Sequence, residues 1–257
     1  MKNSTLNDIL LVKRERLAQR KADTPLDAMR ALAGMQKRPE PLLSTVTDDG
    51  HVMLFGQIRY GAAYDPVSLA LSYAQAGLDG IALFTDDLIY DGGMNDLALI
   101  TRALSLPVLL QNYLFDEYQV IEARAAGAAS LTLDAGLLDA ATLRALVSAT
   151  QRNRMSAVVR VHNAEQLKPA LEVCPSVIDV GARDPVTGEL NIALIAALRA
   201  QIPASFRVFV HNRLHSLKEA AAIALLKPDA VLVTSSLLAE AGSPDRLRAV
   251  FEGERFA

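Results

Sequence analysis

Several polar side chains stand at or just past the ends of short aliphatic runs, where a strand would hand over to a loop. Along Ala157–Val161, period-two alternation puts Val158, Arg160 and His162 on one face and Ala157, Val159 and Val161 on the other. Gln111 closes Val108–Gln111, Asp134 follows Ser130–Leu133, His211-Asn212-Arg213 follows Arg207–Val210, and Ser235-Ser236 follows Ala230–Val233. These residue types point to one kind of chemistry. Arginine grips carboxylate or phosphate through paired hydrogen bonds. Histidine is the side chain whose ordinary pKa lets it move a proton near neutral pH. His211, with Asp134 and Gln111, is therefore the expected acid–base group. Arg160, Asn212, Arg213, Ser235 and Ser236 are expected to hold a small anionic ligand.

Each of these residues also has a purely structural reading. Arg160 and Asp134 on neighbouring strands can equally pair and plug the site, and His211 can equally be a hydrogen-bonded structural histidine. His162 reads as structural, His51 and His215 as exposed, and Cys174 as a buried apolar filler. The four histidines have no ligand spacing such as His-x-x-x-His, so no metal site is expected, and nothing in the sequence calls for a cofactor.

Positioning such groups requires many strand ends gathered at one place. Eight short apolar runs meet the need: Val52–Ile58, Gly80–Phe84, Val108–Gln111, Ser130–Leu133, Ala157–Val161, Val177–Val180, Arg207–Val210 and Ala230–Val233. Helical patterns alternate with them, over Pro66–Ala76, Met94–Ala103, Glu117–Ala126, Asp139–Arg152, Ala164–Val173, Asn191–Ala200 and Leu217–Leu226. Ala76-Gly77 and Ala126-Gly127 stop helices, and the steps into Pro107 and Pro228 do the same, because proline disfavours helix in the residue before it. Eight strand–helix units predict an α/β fold, a single closed (β/α)8 TIM barrel rather than an open sheet. The turn Arg59-Tyr60-Gly61-Ala62-Ala63 is no glycine-rich phosphate fingerprint of the open kind. Residues 1–41 form an N-terminal helical extension to the barrel of residues 42–257. It holds an amphipathic helix over Leu6–Arg20, a second over Pro25–Ala33 opened by Thr24, and the linker Lys37–Pro41.

Composition narrows the function classes. The 257 residues are 51% hydrophobic and 21% charged, enough for a large core. A net charge of −3 with 5% aromatics gives neither the electrostatic footprint nor the stacking platform of a nucleic-acid binder. No apolar run reaches membrane-spanning length and Met1–Lys13 holds no uninterrupted apolar stretch, so neither export nor membrane insertion is expected. One cysteine suits a reducing compartment. The expectation is a cytoplasmic protein whose partner is a small molecule, with no nucleic acid and no membrane.

The sequence resembles the indole-3-glycerol-phosphate synthase family of the tryptophan pathway, from Ile9 to about Ala241. Ile9-Leu10 with Lys13-Arg14-Glu15, Leu83-Phe84-Thr85-Asp86 with Gly92-Gly93, Leu106-Pro107-Val108-Leu109 and Asp116–Val120 carry the likeness. Glu122-Ala123-Arg124-Ala125-Ala126-Gly127-Ala128 matches almost letter for letter, and Val161-His162 and Arg183-Asp184 fall where the family has Glu-Val-His and Asn-Asn-Arg-Asp. The resemblance implies a decarboxylative closure of an indole ring on an anthranilate-derived ribulose phosphate. That reaction would be driven by lysines ending strands one and three, a loop lysine, and glutamates on strands one, five and seven.

Nearly every one of those groups is replaced. The strand-one Glu-Val-Lys reads Gly56-Gln57-Ile58, the strand-three lysine Gln111, the strand-five glutamate Arg160 and the strand-six asparagine Gly181. The strand-seven Glu-Ser-Gly reads His211-Asn212-Arg213. The loop before Asp65-Pro66 is shorter by about seven residues, within the ordinary range for such connections. The phosphate-cup glycines after strands seven and eight are Arg213 and Thr234. None of Lys2, Lys13, Lys21, Lys37, Lys168, Lys218 and Lys227 lies in or at the end of a predicted strand, so no ammonium is expected at the barrel mouth. Arginine cannot replace it as a proton donor, its pKa being above about 12. The expectation is a diverged paralogue that acts on or binds a small anionic, anthranilate- or indole-related metabolite in a specialised pathway. Two alternatives stand beside it: a non-catalytic pseudoenzyme that binds a ligand or a partner enzyme of the same pathway, and a genuine synthase with compensating residues.

Overall fold

The computed structural model describes residues 6–43, 51–59, 65–85, 93–182 and 189–253. Eight parallel strands close on themselves in chain order: β1 (Met53–Ile58), β2 (Gly80–Phe84), β3 (Val108–Gln111), β4 (Ser130–Asp134), β5 (Ser156–Val161), β6 (Val177–Val180), β7 (Arg207–Leu214) and β8 (Ala230–Val233). Helices run between them and ahead of them: α1 (Leu6–Asp23), α2 (Leu26–Gly34), α3 (Pro66–Gln75), α4 (Met94–Ala103), α5 (Glu117–Ala125), α6 (Ala140–Arg152), α7 (Ala164–Glu172), α8 (Ile192–Arg199), α9 (Leu217–Ala224), α10 (Ser235–Ala241) and α11 (Pro244–Phe251). This is the (β/α)8 barrel that the alternation of runs predicts. Each of the eight strands overlaps its predicted segment.

Alternation along the strands divides the apolar residues into two cores. Phe55, Ala82, Leu109, Val158, Val177, Phe209 and Leu232 fill the barrel interior, with Phe55 and Phe209 meeting edge to face at 5.5 Å. Their neighbours Leu54, Ile81, Leu110, Val159, Ile178, Val208 and Val231 face outward into the layer beneath the helices. Leu42, fully buried, joins the interior cluster from the segment before β1, and its N–H donates to Ser156 Oγ at the start of β5. Among the described residues Leu42 thus helps fill the N-terminal end of the barrel, opposite the C-terminal end that is the functional face of such barrels.

The N-terminal helices are docked on α5. Leu17, Met29 and Ala33 pack against Tyr118 and Ile121, and the Tyr118 hydroxyl donates to the carbonyls of Arg20 and Thr24. Lys21 and Arg20 pair with Asp116 and Glu122 at 2.7 and 2.9 Å. Two local expectations are corrected here. Pro25 rather than Thr24 holds the cap position of α2, which has no side-chain cap. Cys174 is exposed, not buried, because the chain leaves α7 through a left-handed turn with φ +47° at that residue.

Candidate functional site

The C-terminal ends of the strands surround a cavity of about 440 Å³, within the usual range for small-molecule sites. Inward-facing positions supply its walls. Gln57 and Arg59 come from β1 and its exit, Gln111 from β3, Arg160 and His162 from β5 and its exit, and His211 and Asn212 from β7. Phe84, Ala182 and Leu194 add apolar surface. Among these lining residues are two guanidinium groups and no carboxylate.

Beneath the cavity the strand register sets a row of charges. Asp134 lies opposite Arg160, and Arg160 opposite Asp179, on β4, β5 and β6. The alternative pairing of Asp134 with Arg160 is not the one formed. Arg160 Nε instead donates to Asp179 Oδ2 at 2.8 Å, and Asp134 Oδ2 bonds His162 Nε2 at 2.9 Å. His211 completes the arrangement, its Nδ1 lying 2.7 Å from Asp179 Oδ1. Each histidine thus stands one strand period above its carboxylate, and the two rings meet edge to face at 6.2 Å.

The electrostatics assign protonation states. Asp179 is fully buried, which pushes its pKa up, but the adjoining His211 and the Arg160 guanidinium more than offset this and hold it below the ordinary carboxylate value. Burial and the Arg160 charge lower the pKa of His211, and Asp179 only partly opposes them. His211 is accordingly neutral at pH 7, donating Nδ1–H to Asp179 and keeping the lone pair on Nε2. Burial raises Asp134, yet the His162 bond, the Gly136 N–H and the Arg160 charge bring it below the ordinary range.

Two donors buried beneath the cavity wall, Arg160 Nη2 and Asn212 Nδ2, have no partner among the described residues and essentially no accessible surface. A buried donor left unsatisfied costs about 1–3 kcal/mol. The register of β7 against β8 shifts between Val210 and Leu214. Such an irregularity re-aims side chains, and here the consecutive residues His211 and Asn212 both face the cavity. Gly181 makes room for them, since a Cβ there would overlap the Asn212 carboxamide and the His211 ring.

Of the expected site residues, Gln111, Arg160, His211 and Asn212 line this cavity, and Asp134 sits behind it through His162. The Arg213 side chain lies outside the described residues, as do Tyr60 and Arg183-Asp184. Ser235 and Ser236 are exposed at the start of α10 and do not line the cavity; Ser236 Oγ bonds Thr234 Oγ1 at 2.9 Å. The sequence reading leaves Asp179 out, and places His162 on the face of Arg160 but reads it as structural only. The signal for Asp179 is a charge at an inward-facing position of a four-residue strand.

Two further observations concern the ends of β1 and β3. Gly56 and Ile58 face outward, Gly56 against Tyr73, so the inward pair on β1 is Gln57 and Arg59 rather than Gly56 and Ile58. A lysine also reaches the end of β3 from outside the strands. Lys13 of α1, 7% exposed, donates from Nζ to Asn112 Oδ1 at 2.8 Å, and Asn112 Nδ2 donates to Thr85 Oγ1. Asn112 points outward, and Lys13 lines a separate 160 Å³ pocket between α1, α4 and α5. No lysine is among the described residues lining the mouth cavity.

A family model for indole-3-glycerol phosphate synthase matches residues 55–250. The indole-3-glycerol phosphate synthase of Leifsonia xyli subsp. xyli is 30% identical over 241 residues, covering 91% of this chain and 93% of that protein. The one of Roseiflexus sp. is 29% identical over 252 residues, covering 92% and 94%. Among solved structures, 3-hexulose-6-phosphate synthase from Salmonella typhimurium superposes with a TM-score of 0.64 at 18% identity, covering 79% of this chain and all of that one, a likeness of fold.

Proposed function

The chain belongs to the indole-3-glycerol phosphate synthase family, and we propose that it has exchanged the family's ring-closing chemistry for the binding and acid–base handling of a different small anion. The observation that carries this reading is the character of the inward-facing positions. Where the family resemblance calls for ammonium and carboxylate groups, this cavity has Gln57, Arg59, Gln111, Arg160 and the Asp179-backed His211. A guanidinium polarises a carbonyl but does not surrender a proton near neutrality. Each lost acid–base step removes about 10²–10⁴ of rate.

The ligand is an acceptor-rich anion, a phosphate or carboxylate. Two guanidiniums, Arg59 and Arg160, with no carboxylate among the described lining residues, favour negative charge. The purified chain is expected to produce no indole-glycerol phosphate from the carboxyphenylamino deoxyribulose phosphate, by indole fluorescence, and not to rescue a synthase-deficient strain. It is expected to bind 2-phosphoglycolate by calorimetry, with affinity falling about tenfold or more in Asn212→Ala or Arg59→Gln, as charge-assisted bonds of about 1.5–3 kcal/mol require. Turnover of the ring-closing substrate would refute the reading. Failure to bind the anion would leave a scaffold for a partner protein.

A further inference from the structure

We propose, building on the anion-binding reading above, that the ligand is a hydroxylated anion, held by Arg160 through its charge and by His211 through a hydroxyl that donates to ring Nε2. His211 is then the residue that tells a hydroxyl-bearing anion from one without it. The argument begins with what Asp179 anchors. Arg160 Nε bonds one of its oxygens at 2.8 Å and His211 Nδ1 bonds the other at 2.7 Å. A cation and a histidine therefore stand side by side on one buried carboxylate, and both line the mouth cavity.

The carboxylate fixes what His211 presents. An ionised aspartate only accepts, so Nδ1 is the donor and the neutral ring keeps its lone pair on Nε2. That nitrogen has no hydrogen-bond partner among the described residues, on a side chain that keeps 19% of its surface exposed. Of the partnerless polar atoms on the side chains lining the cavity, only Arg160 Nη2 and Asn212 Nδ2 are sealed from solvent. His211 Nε2 and Arg160 Nη1 are open to it. A second pair repeats the pattern with neutral groups. Gln57 Nε2 donates to Gln111 Oε1 at 3.3 Å, which leaves one carboxamide oxygen and one NH2 for a ligand. An acceptor beside a donor is what a hydroxyl satisfies, since it donates and accepts at once.

Other ligand groups fit this wall less well. A bare carboxylate or phosphate oxygen only accepts, so seating it over His211 Nε2 would expel water and leave two lone pairs facing each other. An ammonium would supply the donor, but beside the Arg160 guanidinium and with no carboxylate among the described lining residues. A hydroxyl supplies the donor without adding charge. A site that hydrogen-bonds a ligand hydroxyl rejects the analogue lacking it, because its own polar group is then left unpaired.

Calorimetry with three phosphate-carboxylates that differ at a single carbon tests this directly. 3-Phosphoglycerate carries a hydroxyl on its middle carbon, O-phosphoserine an ammonium and 3-phosphooxypropanoate only hydrogen. 3-Phosphoglycerate is expected to bind about tenfold or more tighter than either of the others. In His211→Asn, which keeps a donor for Asp179, its advantage over 3-phosphooxypropanoate should shrink to within about threefold. Affinity of that variant for 3-phosphooxypropanoate itself should stay within a few-fold of the parent chain, whereas a merely structural role would weaken all three ligands together. Binding of 2-phosphoglycolate with no preference for the hydroxylated ligand overturns this proposal while sparing the anion site. O-Phosphoserine bound as tightly as 3-phosphoglycerate overturns the choice of hydroxyl over ammonium. A preference that survives His211→Asn overturns the role of His211. Failure of the parent chain to bind 2-phosphoglycolate or any of the three overturns the underlying site reading and this proposal with it.

Discussion

Asp179→Asn should damage this barrel far more than a near-isosteric change in a strand usually does. Asp179 is fully buried and uses both carboxylate oxygens, accepting from Arg160 Nε at 2.8 Å and from His211 Nδ1 at 2.7 Å. An asparagine offers one acceptor oxygen, so one of the two donors would face an NH2 group. The Arg160 guanidinium would meanwhile keep its charge with no counterion in contact. Removing one partner of a buried ion pair costs about 3–5 kcal/mol, most of it from the stranded charge. At about 2–4 °C per kcal/mol for a chain of this size, that is a fall in Tm of about 6–20 °C, read by circular dichroism with urea unfolding alongside. Adding Arg160→Met to Asp179→Asn removes the stranded cation. The double variant should therefore be more stable than Asp179→Asn alone, a coupling that a double-mutant cycle isolates. A loss under about 1 kcal/mol for Asp179→Asn, the lower edge of what one unsatisfied buried group costs, would refute the reasoning. So would a double variant no better than the single one.

Lys13→Met keeps the aliphatic stem but removes the ammonium that holds Asn112 at the end of β3. Urea unfolding should show a loss of about 1.5–3 kcal/mol. Affinity for 2-phosphoglycolate should stay within twofold, because Lys13 lines a different pocket. Stability should also fall on acidification in two windows. The pKa of His211 lies below its ordinary 6.5, so the unfolded chain takes up that proton first and stability declines as pH drops below about 6.5. Asp179 and Asp134 lie below their ordinary 3.8, so their contribution is present above 3.8 and is lost as pH falls through their folded values. Thermal melts from pH 8 to pH 3 should show both declines, and His211→Asn should flatten the upper one; an upper window untouched by that substitution would contradict the assignment.

Much of this molecule is written locally in its sequence. Helix and strand periodicity are properties of consecutive residues, so the runs from Gly80–Phe84 to Ala230–Val233 announce eight strand–helix units and hence the barrel. Parity along a strand is equally local, which is why the sequence alone places Gln111, Arg160 and His211 at the mouth. The absence of lysine from the predicted strand ends is a matter of residue identity alone. Partner choice is not local. Whether Arg160 bonds Asp134 or Asp179 depends on how side chains from three strands lean across the barrel, and both neighbours sit opposite it in register. The same holds for the shift in β7 that turns both His211 and Asn212 inward, and for Lys13, which reaches Asn112 across 99 residues of sequence. Residue spacing fixes which face a side chain takes, but only the closed barrel fixes which side chains meet there.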